Sequence, residues 1–330
     1  MYSALIIGAG QIAGGYDSPG DKAILTHAHA YTENPDIELL GFYDVNFEAA
    51  KKMADKWDTK ALSFSPSPLE GEGRGEGLKL ICAGSEPISA DIISICVPDE
   101  FHTKTVLDAE KLNPKLIFLE KPVCRDLKDI EILKGVKTPI LVNYSRSFSK
   151  SFRKLSERIK SGEFGKYESG FGYYGKGFTH NGSHMVNLMN LLIGEVSAVE
   201  FKDEIKDFYE DDSSKLAILT FKQGGRFIMN PVDCRNYTVF ELDMIFENAR
   251  IKILNSGYKI EIFKAKESDK FKGYKMPELT EEINTDLDFA LKNAVENAVN
   301  YLNGKEDLFC TLQNGIEAIY INSLAPCGRG

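Results

Sequence analysis

The rhythm of apolar and polar positions changes about halfway along the chain. Up to about residue 146, short apolar runs alternate with stretches of helical period. Strands are predicted at about 3–8, 37–43, 91–97, 115–119 and 138–143, with helices between them such as Phe47 to Trp57 and Phe101 to Lys111. That alternation implies a parallel sheet covered on both faces. Beyond residue 146 a basic amphipathic helix, Phe152 to Ser161, leads to the turn Gly162-Glu163-Phe164-Gly165. Strand-like segments follow at Lys166–Tyr174, Ala198–Lys202, Lys215–Lys222, Arg226–Asn230, Thr238–Phe246, Arg250–Leu254 and Lys259–Lys264. Many alternate polar with apolar, as in a sheet with one covered face. Helices are predicted from Gly182 to Leu192, ending at Gly194, and from about Thr285 to Leu302, ending at Gly304. The expected fold is α/β: a doubly wound parallel sheet over 1–146, then an α+β domain over 147–330 with an open-faced, largely antiparallel sheet. Residues 63–77, dense in Pro and Gly and without periodicity, read as a mobile surface loop inserted in the first domain.

The first strand runs directly into Gly8-Ala9-Gly10-Gln11-Ile12-Ala13-Gly14. This is how a dinucleotide-binding Rossmann unit begins. Gly8 allows the tight turn, and Gly10 lets backbone N–H groups approach a pyrophosphate. Ala13 and Gly14 let the next helix pack close, its positive end toward the phosphates. A pyrophosphate is expected over Gly8, Gly10, Gln11, Ile12 and Ala13. The second strand ends in Asp44, which can accept both ribose hydroxyls of NAD and would repel the 2′-phosphate of NADP; a solvated turn residue is the other reading.

Three further segments can carry chemistry. Ile93 to Val97 ends at Pro98-Asp99, placing both at the carboxyl edge of the sheet with His102 just beyond. Two readings stand there: a nicotinamide edge, or Asp99 capping a helix while His102 packs inward. Leu116 to Leu119 ends in Glu120-Lys121-Pro122. An ammonium at that edge can hold a substrate hydroxyl and stabilise a developing alkoxide, with Glu120 orienting it. Pro122 fixes the turn, with a cis bond as one way to do so; a salt-bridged lysine is the alternative. The third segment holds His180, Asn181, His184 and Asn187. If the segment is helical from its start, His180, His184 and Asn187 share one face. A histidine near neutrality suits a general base. No metal is expected, because the pair lacks an intervening Glu and a clear third ligand.

Composition narrows the partners. A net charge of −9 disfavours nucleic acid and anionic membranes, and no apolar run approaches the ~18 residues of a membrane span. No secretory signal is expected at the N-terminus. Cys82, Cys96, Cys124, Cys234, Cys310 and Cys327 form no Cys-x-x-Cys pair, so reduced thiols and a cytoplasmic location are expected.

Together these pieces resemble the glucose–fructose oxidoreductase / inositol dehydrogenase / MocA (Gfo/Idh/MocA) family. The resemblance runs over most of the chain: the glycine turn, Asp44, Val97-Pro98 with His102, Glu120-Lys121-Pro122, Asn143-Tyr144-Ser145-Arg146, the histidine segment and Phe240-Glu241-Leu242-Asp243. It implies a Rossmann domain, an open-faced sheet used to oligomerise as a dimer or tetramer, and hydride transfer between NAD(P) and a carbinol carbon of a sugar, cyclitol or nucleotide-linked sugar. Lys121 matches the family's catalytic lysine and His184 its catalytic histidine. His180 and Asn187 stand where aspartate is common, so His180 either shares the base role or binds another substrate group. Asn143, Arg146, Asn181 and Asn187 are candidates to orient substrate. Arg235, Tyr174, Lys176 and Tyr237 are further pocket candidates. Two other readings remain: an enzyme that retains and recycles NAD through a transient ketone, and a non-catalytic NAD(H) sensor.

Overall fold

The computed structural model describes residues 1–66, 78–82 and 87–321. The chain divides into two compact units, Met1–Phe148 with Asp288–Ile316, and Ser149–Leu287 with the segment that begins at Glu317.

In the first unit the strands are β1 (Tyr2–Ile7), β2 (Ile37–Tyr43), β3 (Lys60–Pro66), β4 (Leu78–Cys82), β5 (Pro87–Ile88), β6 (Ile92–Ile95), β7 (Leu116–Leu119) and β8 (Ile140–Val142). Their order across the sheet is β5-β4-β3-β2-β1-β6-β7-β8. The pairs from β3 to β8 are parallel, and β4 and β5 add antiparallel at one edge. Every residue of β6, β7 and β8 is buried, as the continuous apolar runs require of a sheet covered on both faces. The helices are α1 (His27–Thr32), α2 (Phe47–Lys56), α3 (His102–Glu110), α4 (Asp129–Lys134) and α5 (Ser145–Phe148). Thr26 caps α1 by accepting the His29 N–H, and Asn46 caps α2 by accepting that of Ala49.

Two expectations change here. Residues 63–66, expected in a mobile loop, continue β3, because Ser63 to Pro66 pair in register with Leu78 to Ile81. The remainder of that stretch, 67–77, lies outside the described residues. The glycine turn opens not on a long helix but on one π-helical turn, Gln11–Gly15, and α1 starts only at His27. The intervening Gly14-Gly15 and Pro19-Gly20 disfavour a continuous helix.

The second unit begins with α6 (Lys150–Lys160) and β9 (Tyr167–Tyr174). A π turn (Phe178–Gly182) leads into α7 (Ser183–Leu192), followed by β10 (Val196–Ile205), β11 (Ser214–Phe221), β12 (Arg226–Pro231), β13 (Glu241–Phe246), β14 (Ala249–Leu254), β15 (Lys259–Glu267) and β16 (Lys275–Asn284). The order is β10-β11-β12-β9-β13-β14-β15-β16, antiparallel except for β12 with β9. Phe152 and Leu155 of α6 and Met185, Val186, Leu188, Met189 and Leu192 of α7 share one core with the inward residues of the sheet. The opposite face leaves Phe171, Tyr173, Ile228 and Ile245 exposed, which is the open face expected from the alternation.

The expected second domain, 147–330, is not one continuous piece. Helix α8 (Ala290–Leu302) buries Ala290, Leu291, Ala294, Val295, Ala298 and Val299, and it packs on α1 and α5 of the first unit. The last described helix is α9 (Leu312–Tyr320).

Candidate functional site

The glycine turn is shaped by close approaches. Gly8 has φ +100°, and a Cβ there would sit 2.6 Å from the Cys96 carbonyl oxygen, where β1 meets the end of β6. A Cβ on Gly14 would lie 2.5 Å from Nε1 of Trp57, which donates to the Gly14 carbonyl at 2.9 Å. A Cβ on Gly10 would meet nothing within 4 Å, so the space above it is open for a ligand to approach the backbone. Asp44 at the end of β2 accepts the Ala9 N–H at 2.8 Å through Oδ2 and the Asn46 N–H at 2.8 Å through Oδ1. It is tied to the turn it was expected to serve.

The carboxyl end of β7 carries a buried polar chain. The Lys121–Pro122 bond is cis. Glu120 Oε1 lies 2.8 Å from Nε2 of His27 and accepts from Asn143 Nδ2 at 2.6 Å. His27 Nδ1 is 2.9 Å from Ser94 Oγ, which is 2.6 Å from the Tyr31 hydroxyl. One direction satisfies every group. Tyr31 donates to Ser94, Ser94 donates to Nδ1 of a neutral His27, and its Nε2–H donates to an anionic Glu120. Burial works against the Glu120 carboxylate, but the hydrogen bonds from His27 and the Asn143 amide and the charge of Lys121 hold its pKa below the usual range. Burial pushes the Tyr31 phenol well above its ordinary value, so this end of the chain does not release a proton. Lys121 thus follows a fixed negative charge.

His102 turns inward, as in the second of its two readings. It is 1% exposed, with Nδ1 2.6 Å from the Pro122 carbonyl and Nε2 3.0 Å from that of Val97. Burial pushes its pKa down despite those carbonyls, and in the neutral ring the single N–H donates to one of the two. Pro98 leads into a 3₁₀ turn, Asp99–Phe101, and the Asp99 carboxylate stands 4.0 Å from Arg125 Nη1. Asn143 follows β8, and Arg146 lies on α5. Asn143 is 6% exposed, yet its Oδ1 has no hydrogen-bond partner among the described residues.

In the second unit, His180 sits in the π turn and His184 and Asn187 on α7. A π turn closes i→i+5 rings, so each residue advances less than in an α-helix and a spacing of four nears one full turn. His180 and His184 therefore share a face although the segment is not α-helical from its start. His180 Nδ1 lies 2.7 Å from Asp212 Oδ2, and the Tyr209 ring stacks on it at 4.1 Å. Asn181 donates to the Gly175 carbonyl at 2.8 Å, and Asn187 is buried. Tyr174 is a core residue, fully buried, with its hydroxyl donating to the Lys215 carbonyl at 2.6 Å. Arg235 forks onto Asp233, Nε to Oδ1 at 2.9 Å and Nη2 to Oδ2 at 2.5 Å. An anionic substrate there competes with that pair. Tyr237 is 73% exposed, and Lys176 places Nζ 5.4 Å from the Phe208 ring.

The sequence reading missed His27, Ser94, Tyr31, Tyr209 and Asp212. Thr26-His27-Ala28-His29 was a usable signal, since it holds two of only five histidines. Asp212 lies in Glu210-Asp211-Asp212, which reads as a solvated loop and carries no spacing signal toward His180.

Residues 3–136 match the GFO_IDH_MocA family model, described as an oxidoreductase family with an NAD-binding Rossmann fold. This segment is similar to that family. The chain is also similar to myo-inositol 2-dehydrogenase of Thermotoga maritima, 29% identical over 144 residues. That match spans 42% of this chain and 38% of the curated relative's length. Among solved structures, it resembles the UDP-N-acetylglucosamine 3-dehydrogenase of Acidithiobacillus ferrooxidans (TM-score 0.69, 15% identity, 96% of this chain and 94% of that one). It also resembles the WlbA dehydrogenase of Bordetella pertussis in complex with NADH and UDP-GlcNAcA (TM-score 0.67, 14% identity, 98% and 94%). An NAD binding oxidoreductase from Klebsiella pneumoniae aligns with a TM-score of 0.72 at 11% identity, over 98% and 95%. At these identities the structures establish a common fold. The residues of the first unit fit the dinucleotide: Gly10 is open, and the unpartnered Asn143 oxygen suits a ligand donor such as an amide or hydroxyl.

Proposed function

We propose that this chain is an NAD-dependent oxidoreductase acting on a carbinol carbon of a sugar, cyclitol or nucleotide-linked sugar. The observation that carries the reading is the Glu120 carboxylate locked by His27 and Asn143 directly before Lys121, at the same carboxyl edge as the glycine turn. Gly8 to Ala13 would hold the pyrophosphate, and Asp44 the adenosine ribose. Bound NAD supplies the acceptor for the hydride that leaves the carbinol carbon as its hydroxyl loses a proton and the carbonyl forms. Lys121 holds the substrate oxygen and stabilises its developing charge. A histidine of the His180–His184 face takes the proton; the family resemblance names His184. Asn143, Arg146, Asn181 and Asn187 orient the ligands. The similarity to an inositol dehydrogenase and the fold shared with nucleotide-sugar dehydrogenases support this substrate class. The open face of the second sheet is the surface on which we propose that copies of the chain assemble.

The test is absorbance at the NADH band with purified protein, NAD and a panel of cyclitols, sugar acids and UDP-sugars. NADH formation with at least one of them is expected. A protein that binds NADH but turns over none favours the sensor reading. Cofactor that co-purifies and cycles without net NADH favours the retained-NAD enzyme.

A further inference from the structure

Two consecutive residues at the carboxyl end of β7 hold Asn143. The Leu119 carbonyl accepts its backbone N–H at 2.9 Å, and Glu120 Oε1 accepts its side-chain N–H from Nδ2 at 2.6 Å. The same carboxylate oxygen lies 2.8 Å from Nε2 of His27. An ionised carboxylate can only accept, so the Asn143 amide has one orientation, with Nδ2 toward Glu120 and Oδ1 turned away from it. Turning the amide over would set two acceptor oxygens against each other. Asn143 is 6% exposed, yet its fixed Oδ1 has no hydrogen-bond partner among the described residues. A buried acceptor left unpaired is costly, so this oxygen is suited to a donor that arrives with a ligand.

Resting on the oxidoreductase reading, we propose that Asn143 Oδ1 accepts the carboxamide N–H of nicotinamide and so selects the carboxamide form of the cofactor. The sheet order sets the direction. Asp44, the residue assigned to the adenosine ribose, follows β2, and the glycine turn follows β1. A dinucleotide that starts over β2 and crosses at β1 continues toward β6 and β7. Neighbouring strands lie about 4.8 Å apart, so the end of β7 is about 10 Å from that of β1, within the reach of a nicotinamide riboside. All of these residues belong to the first unit. Chemistry separates the carboxamide from a reacting hydroxyl. A carbinol that is oxidised gives up its O–H and would leave Oδ1 unpaired in the product state. The carboxamide keeps its N–H groups in both NAD and NADH, so it satisfies the oxygen before and after hydride transfer. The fixed charge of Glu120 sharpens the choice. A carboxylate in place of the amide, as in the nicotinic acid dinucleotide, has no hydrogen to share with Oδ1 and meets the Glu120 carboxylate nearby.

The test is a calorimetric titration of the purified full chain with NAD and with its thionicotinamide, 3-acetylpyridine and nicotinic acid analogues. The thioamide keeps the N–H donors, the acetyl group puts a methyl in their place, and the carboxylate puts a charge there. The thionicotinamide analogue is expected to bind within about threefold of NAD, the acetylpyridine analogue roughly tenfold or more weaker, and the nicotinic acid analogue weaker still. In Asn143→Ala the gap between NAD and the acetylpyridine analogue should shrink to about twofold or less, because the acceptor that reads the amide is gone. Equal affinity of the wild type for NAD and the acetylpyridine analogue overturns the proposal without relying on any variant to fold, and hands the oxygen to a substrate hydroxyl or a water. A gap that Asn143→Ala leaves intact assigns the amide to another acceptor and overturns it too. A chain that binds none of the four loses the oxidoreductase reading and the proposal together. One that binds NAD and the acetylpyridine analogue equally keeps that reading and loses the proposal alone.

Discussion

Two histidines of this chain each lean on a carboxylate, one in each unit, and they differ in what lies on the other side of the ring. His27 is fully buried between Glu120 and Ser94, and the polar chain ends at the Tyr31 phenol. Both ring nitrogens are committed, so the pair has one protonation pattern and acts as a static brace. His180 has its carboxylate behind it, a stacked tyrosine on one face and part of its ring exposed. The same imidazole–carboxylate chemistry gives a fixed charge where it is sealed and a pair in partial contact with solvent where it is not. The brace stands directly before Lys121, the residue proposed to act on the substrate oxygen.

The largest effect should come from the residue the brace supports. Lys121→Met is expected to cut kcat by about 10³-fold or more while leaving NADH affinity within about threefold, read by steady-state kinetics and cofactor titration on one preparation. Turnover unaffected by this change would remove the lysine from the chemistry.

The next effect separates the two pairs. His27→Gln leaves a buried carboxylate short of its cation-capable partner and should cost roughly 2–3 kcal/mol, seen in urea melts. It should not move the acid limb of kcat. Asp212→Asn keeps an oxygen acceptor for the Thr179 and His180 N–H groups and should cost less in the same melt. Equal losses would erase the difference between the two pairs.

A smaller effect concerns the frame of the second unit. Asp286 accepts the Ser149 hydroxyl at 2.6 Å and the N–H groups of Lys150 and Ser151 at 2.9 and 3.0 Å, at the start of α6. Burial opposes its charge, but these donors hold its pKa at about 2. A depressed carboxylate pKa stabilises the fold above the unfolded value of 3.8 and loses that contribution as pH falls toward 2. After allowance for solvent screening at this half-exposed position, Asp286→Asn should cost roughly 1 kcal/mol at pH 7, and the gap from wild type should close near pH 2. A gap independent of pH would assign the loss to packing instead.

How much of this was legible depended on whether the cause was local. Strands with continuous apolar runs, such as Leu116–Leu119, and the helix expected from Phe47 to Trp57 and found at Phe47–Lys56 were written in a few consecutive residues. The exposed strand Lys275–Asn284 was not, because it lies at the sheet edge with most positions facing water and so lacks an apolar period. Glu120 and Lys121 were found from one strand end, whereas the brace behind them joins residues 27, 94 and 143, which only the sheet order brings together. His102 kept two readings in the sequence because a strand-end histidine has the same signature whether it faces a ligand or two carbonyls. The return of 288–316 to the first unit was equally invisible, since the apolar stripe of α8 shows that it packs but not against what.

The most direct test is a parallel fluorescence titration with NADH and NADPH. The chain has one tryptophan, Trp57, whose indole N–H donates to Gly14 of the glycine turn, so energy transfer to a bound nicotinamide starts beside that turn. Saturable transfer to NADH, with NADPH at least about tenfold weaker because Asp44 repels the 2′-phosphate, is the expected result. Binding of neither cofactor, or tighter binding of NADPH, would contradict the account at its base.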